Sequence, residues 1–78
     1  MYKQAPISMS MLPSGSRCVV RGIVAGRGLI KRLVELGLEP GSTVKVVRNE
    51  RGPLLIEIKG SRLALSRGIA SKVLVEVS

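Results

Sequence analysis

Histidine, aspartate, tryptophan and phenylalanine are all missing from this chain, and cysteine and tyrosine occur once each. Without His or Asp, neither a Ser-His-Asp triad nor a histidine-based metal site can be assembled. With only Cys18 there is no disulfide framework, which agrees with a reducing compartment. The near-absence of aromatics removes the stacking platforms on which RNA modules rely. It also leaves the core to Val, Leu and Ile, a composition that suits short strands around a narrow interior. Long apolar runs are missing too. Leu54-Leu55-Ile56 and Val73-Leu74-Val75 fall far short of the ~20 apolar residues of a spanning helix, so a soluble protein without membrane insertion is expected. The opening Met1-Tyr2-Lys3-Gln4-Ala5-Pro6 leads into no apolar h-region, and no secretory signal is expected. Acidic groups are scarce: five Glu stand against thirteen Lys and Arg, for a net charge of +8. Such a balance points to an acidic partner, or to a basic surface that keeps a small protein in solution.

What is present is hydrophobic patterning. Seventy-eight residues suffice for one domain, spanning 1–78, with one core. After a leader through Ser8, Met9 to Gly15 reads as a turn around Pro13 and Gly15. Arg17 to Val24 reads as a strand, with Cys18, Val20 and Val24 on one face and Arg17 and Arg21 on the other. From Gly28 to Gly37 the period changes to about 3.6, with Leu29, Ile30, Leu33 and Leu36 on one helical face. Gly37 and Pro40 stop this helix, Leu38 is placed to pack back on Leu33, and Pro40-Gly41 forms a turn. Thr43 to Arg48 and Leu54 to Ile58 alternate as strands around a polar loop, Asn49 to Pro53. Lys59-Gly60 is a two-residue hairpin turn into Ser61 to Leu65, whose Leu63 and Leu65 point inward. Ser66 to Lys72 suits one capped helical turn that buries Ile69 and Ala70, and Val73 to Val77 is the last strand. The plan is mainly β: a five-stranded, partly open small barrel with a short helix after strand 1 and a helical turn before strand 5.

Little of the remaining chemistry converges. Cys18 alternates with Val20 on the core face, and a buried small hydrophobe is the preferred reading over a nucleophile. Glu35 and Glu39 flank the helix end and read as solvated side chains; their use as a metal pair would need an oligomer. Gly26-Arg27-Gly28 precedes a helix, as in phosphate-binding loops, but lacks the third glycine of a dinucleotide fingerprint and reads as a flexible turn. No catalytic residue, no metal ligand set and no cofactor motif is expected, and the protein is not expected to be an enzyme.

The segment Arg32-Leu33-Val34-Glu35-Leu36-Gly37-Leu38-Glu39-Pro40-Gly41 resembles the Arg-Leu-x-x-Leu-Gly-x-x-Pro-Gly signature of FeoA domains. Met9 to Gly15, Gly52-Pro53-Leu54, Gly60, Leu63-Ala64-Leu65, Ala70 and Val73-Leu74-Val75-Glu76 fall where that family's pattern places them, so the resemblance covers roughly residues 7 to 77. It implies an SH3-like fold and a cytoplasmic accessory protein of ferrous (transition-metal) iron uptake. The implied role is regulatory, exerted by protein–protein interaction with a membrane permease that carries a GTPase domain. On this reading the helix and its exit turn are the contact surface, with Leu29 as apolar anchor and Lys31, Arg32 and Glu35 as an orienting rim. A homo-oligomer stays open. The alternative, motivated by the charge, is a basic SH3-like nucleic-acid-binding module, whose affinity would fall steeply with salt.

Overall fold

Among the described residues six antiparallel strands form one sheet, most of them set by alternation of aliphatic and polar residues. Numbered in chain order, the strands lie side by side as first, sixth, second, third, fourth, fifth. A computed structural model describes residues 5–78; Met1 to Gln4, including Tyr2, lie outside the described residues. The elements run β1 (Ile7–Ser8), a 3₁₀ turn (Met9–Met11), β2 (Arg17–Ile23), α1 (Arg27–Glu35), β3 (Thr43–Arg48), β4 (Leu54–Ile58), β5 (Ser61–Leu65), α2 (Arg67–Ala70) and β6 (Val73–Val77).

The core is the inner face of this curved sheet. Val44 and Val46 of β3, Leu54, Ile56 and Ile58 of β4, and Val73 and Val75 of β6 are all buried, as the period of two requires. Cys18 and Val20 of β2 complete the wall, and Leu63 and Ile69 pack on it half-buried. Ser66 caps α2 by accepting the Ile69 N–H at 3.2 Å, which buries Ala70 beneath it.

Four features differ from the sequence reading. The leader contains a strand, because Ile7 and Ser8 pair with Val75 and Leu74; among the described residues the sheet therefore has six strands rather than five. Two residues carry no readable alternation, which is why β1 escapes a pattern search. The Met9 to Gly15 turn begins as a 3₁₀ turn that inserts Met9 and Leu12 into the core, since positions three apart share one face in that helix. Val24 is not in the core but 64% exposed. A register shift between Val20 and Gly22 against β6 reverses the alternation, and Ile23 takes the inward position. Leu36 likewise lies outside the core at 49% exposure; α1 ends at Glu35 and Leu38 occupies the buried place.

That last exchange follows from how the helix stops. The Leu38 N–H donates to the Leu33 carbonyl and the Gly37 N–H to the Val34 carbonyl, both at 2.9 Å, the paired bonds of a Schellman ending. Gly37 adopts φ +103°, and a Cβ there would lie 3.4 Å from Cδ1 of Ile58. Gly37→Ala is therefore expected to lower stability by about 1–2 kcal/mol, read as a shift of the urea midpoint with an unchanged slope. A wild-type midpoint would show that the turn can relax.

Candidate partner-binding surface

α1 is a nine-residue helix held to the sheet along one side only. Leu29 and Leu33, four apart, form its inner stripe, Leu33 buried and Leu29 half-buried against the core. Its first turn holds no acidic residue, and Gly26 gives no side-chain cap. Arg32 in the last turn complements the carbonyl end of the helix. Since isolated helices this short are marginal in water, packing of Leu29, Leu33 and Leu38 is what holds α1 in place.

The structure brings Lys31, Arg32 and Glu35 together on the exposed side of α1. Leu29 lies on the opposite, core-facing side, so its contribution at the surface is limited to its exposed edge. Sequence periodicity missed the apolar groups that do reach solvent here, Val34 at 36% and Leu36 at 49% exposure. Both flank the charged side chains, and Glu39, Pro40 and Gly41 of the exit turn continue the exposed surface. The signal that distinguishes Leu36 from Leu33 is its place beside Gly37, where the backbone leaves the helix.

Most of the basic surface is uncommitted. Arg21 pairs with Glu76 at 3.1 Å across β2 and β6, an exposed pair of about 1 kcal/mol or less. Arg67 is bound to Asn49 and the Glu50 carbonyl. Lys31, Arg32 and Arg27 have no side-chain hydrogen bond or ion pair among the described residues, so apart from the helix-end role of Arg32 their charge is free to meet a partner. Glu35 and Glu39 are exposed, and no three of His, Cys, Asp or Glu converge among the described residues. No cavity is present among those residues either, and no polar side chain is buried.

Cys18 is fully buried, and desolvation pushes its thiol from 9.0 up to about 11. Below pH 9 the thiol is protonated in both the folded and unfolded chain. Between 9 and 11 the unfolded chain releases this proton while the folded one keeps it, so stability falls as pH rises and levels off above 11. Wild type minus Cys18→Ala, followed by urea unfolding from pH 8 to 11, is expected to show that decline. A difference independent of pH would mean that the thiol is solvated in the native state.

Both sequence and fold match known proteins. A model of the FeoA domain matches residues 7–77. The chain belongs to the FeoA family. A Methanocaldococcus jannaschii protein with the provisional name Fe(2+) transport protein A is 43% identical over 68 residues, covering 87% of this chain and 83% of that protein. Among solved structures, an iron uptake regulatory protein, FeoA, superposes with a TM-score of 0.88 at 31% identity, over 94% of this chain and 99% of that one. FeoA of Stenotrophomonas maltophilia, solved with zinc, gives a TM-score of 0.80 at 30% identity, over 90% of this chain and 89% of that one. It is described as a procaryotic SH3-domain protein and a candidate activating factor of ferrous iron transport. The present FeoA chain accordingly has an SH3-like fold and falls within ferrous iron transport. No helix among its described residues is long and apolar enough to cross a membrane.

Proposed function

We propose that this FeoA protein is a cytoplasmic regulator of ferrous iron uptake that docks on the cytoplasmic part of the membrane permease and its GTPase domain. The observation that carries this reading is the exposed side of α1. Lys31, Arg32 and Glu35 stand there without side-chain partners among the described residues, flanked by the exposed Val34 and Leu36, while Leu29 on the core-facing side offers only its exposed edge. Apolar groups ringed by charge are the usual composition of a protein-recognition patch. Family membership supplies the transport context. A regulatory rather than catalytic role fits a surface from which His and Asp are missing altogether.

The test is a pull-down of the permease's cytoplasmic domain at low salt. Lys31→Glu with Arg32→Glu is expected to weaken capture at least tenfold, and Leu36→Ala to weaken it less, with melting temperatures lowered by no more than a few degrees. Recovery of nothing by the wild-type protein would overturn the proposal. A gel shift with RNA or DNA that weakens steeply with salt would favour the nucleic-acid alternative.

A further inference from the structure

The sheet has two ends, and they are protected unequally. On one side β1 is two residues long, follows Pro6, which has no N–H to offer, and is tied to the end of α2 by Ser8 Oγ donating to the Ser71 carbonyl at 2.8 Å. On the other side β5 runs five residues, Ser61–Leu65, without proline. It pairs with β4 in unbroken register from Ile58↔Ser61 to Leu54↔Leu65.

The hairpin turn fixes which groups of β5 are free. Lys59 and Gly60 both have positive φ, 51° and 81°, so the turn is of the two-residue primed type whose flanking pair, Ile58 and Ser61, exchanges hydrogen bonds. Alternation from there turns Leu63 and Leu65 toward β4 and leaves the N–H and C=O groups of Arg62 and Ala64 pointing away from the sheet. Neither residue makes any other backbone or side-chain hydrogen bond among the described residues, and both are exposed.

We infer that the β5 edge is a docking strand for an extended acidic segment of a partner protein, which adds to the sheet as a seventh strand. Charge selects this occupant. Register aligns Arg17, Lys45, Glu57 and Arg62 across β2, β3, β4 and β5 on the outer face. Arg62 at the open end has no ion pair among the described residues, and Lys59 stands exposed beside it. A residue placed opposite Arg62 on an added strand meets the guanidinium, so a carboxylate fits there. The residue opposite Leu63 faces the half-buried edge of that leucine, so an aliphatic side chain fits. The motif read by this edge is therefore alternating acidic and aliphatic. A second copy of this chain is disfavoured, because self-pairing sets Arg62 of each copy on the same face and joins two chains of net charge +8. This surface lies outside α1, and the inference does not depend on the docking proposed for that helix.

The probe is the peptide acetyl-Glu-Val-Glu-Val-Glu-amide, titrated into the ¹⁵N-labelled full chain at low salt. Amide shifts are expected to concentrate at Ser61 to Leu65, and the peptide with Lys in place of Glu is expected to leave them unmoved. Ala64→Pro removes an outward N–H without touching the ladder to β4, a place where an edge strand tolerates proline, and should weaken binding at least tenfold. Arg62→Glu should do the same through charge and carries the test if the proline disturbs the hairpin. Absence of shifts at millimolar peptide, equal binding of the Lys peptide, or binding undiminished in both variants would overturn the inference. So would concentration-dependent self-association that either variant abolishes, which would assign the edge to a second copy.

Discussion

Replacing Leu38 by alanine is expected to cost about 2–5 kcal/mol, whereas Leu36→Ala, two residues earlier, should cost less than about 1 kcal/mol. Leu38 is fully buried and Leu36 is half exposed. Leu38 joins Leu33 beneath the end of α1 through the Schellman turn, and its truncation leaves a void that close-packed neighbours fill only in part. A 78-residue chain at the usual stability per residue has about 4–12 kcal/mol in total. Leu38→Ala should therefore show a much lower urea midpoint and weaken the anchoring of α1, so that partner capture falls along with stability. Equal midpoints for the two variants would contradict the placement of these leucines.

Asn49→Ala is expected to cost about 2–4 kcal/mol, since net contributions of about 1 kcal/mol per hydrogen bond rise when a charged partner is involved. The Asn49 Nδ2 donates to the Ser10 carbonyl at 3.0 Å and to the Leu12 carbonyl at 2.6 Å. Its Oδ1 accepts from Nη1 of Arg67 at 2.8 Å, and its backbone N–H donates to Ser14 Oγ at 2.7 Å. One half-buried amide thus ties the 3₁₀ turn, the β3–β4 loop and the start of α2 together. Arg67→Ala removes only the exposed half of this clamp and should cost about 1 kcal/mol. Asn49→Asp presents oxygen to both carbonyls and should approach the alanine variant despite a stronger pairing with Arg67. A double-mutant cycle between positions 49 and 67 reads the coupling directly. Additive effects would dissolve the clamp as a unit.

The elements that could be read from sequence are those whose signal is local. Val44 and Val46, and Leu54, Ile56 and Ile58, alternate without interruption, and all five are buried. The Pro40–Gly41 turn closes with the Ser42 N–H on the Glu39 carbonyl at 2.9 Å, and Lys59-Gly60 forms the expected tight hairpin. The charged half of the candidate surface was equally legible, because Lys31, Arg32 and Glu35 fall off the apolar stripe of an amphipathic helix. Its apolar half was not. A window over α1 assigns Leu36 to the stripe, and only the turn at Gly37, which leads Leu38 into the core, releases it to solvent.

Composition and patterning alone determined which side-chain types the chain lacks, the strand positions of the central sheet and the basic character of the surface. These depend on residue type and on spacing within one segment. Tertiary structure decided the rest: the pairing of Ile7 and Ser8 with β6, the inversion of β2 at its register shift, the burial of Met9 and the Asn49–Arg67 clamp. Each of these is a relation between segments far apart in the chain. Its free energy arises only when both partners are already in place, so no local stretch of sequence carries it.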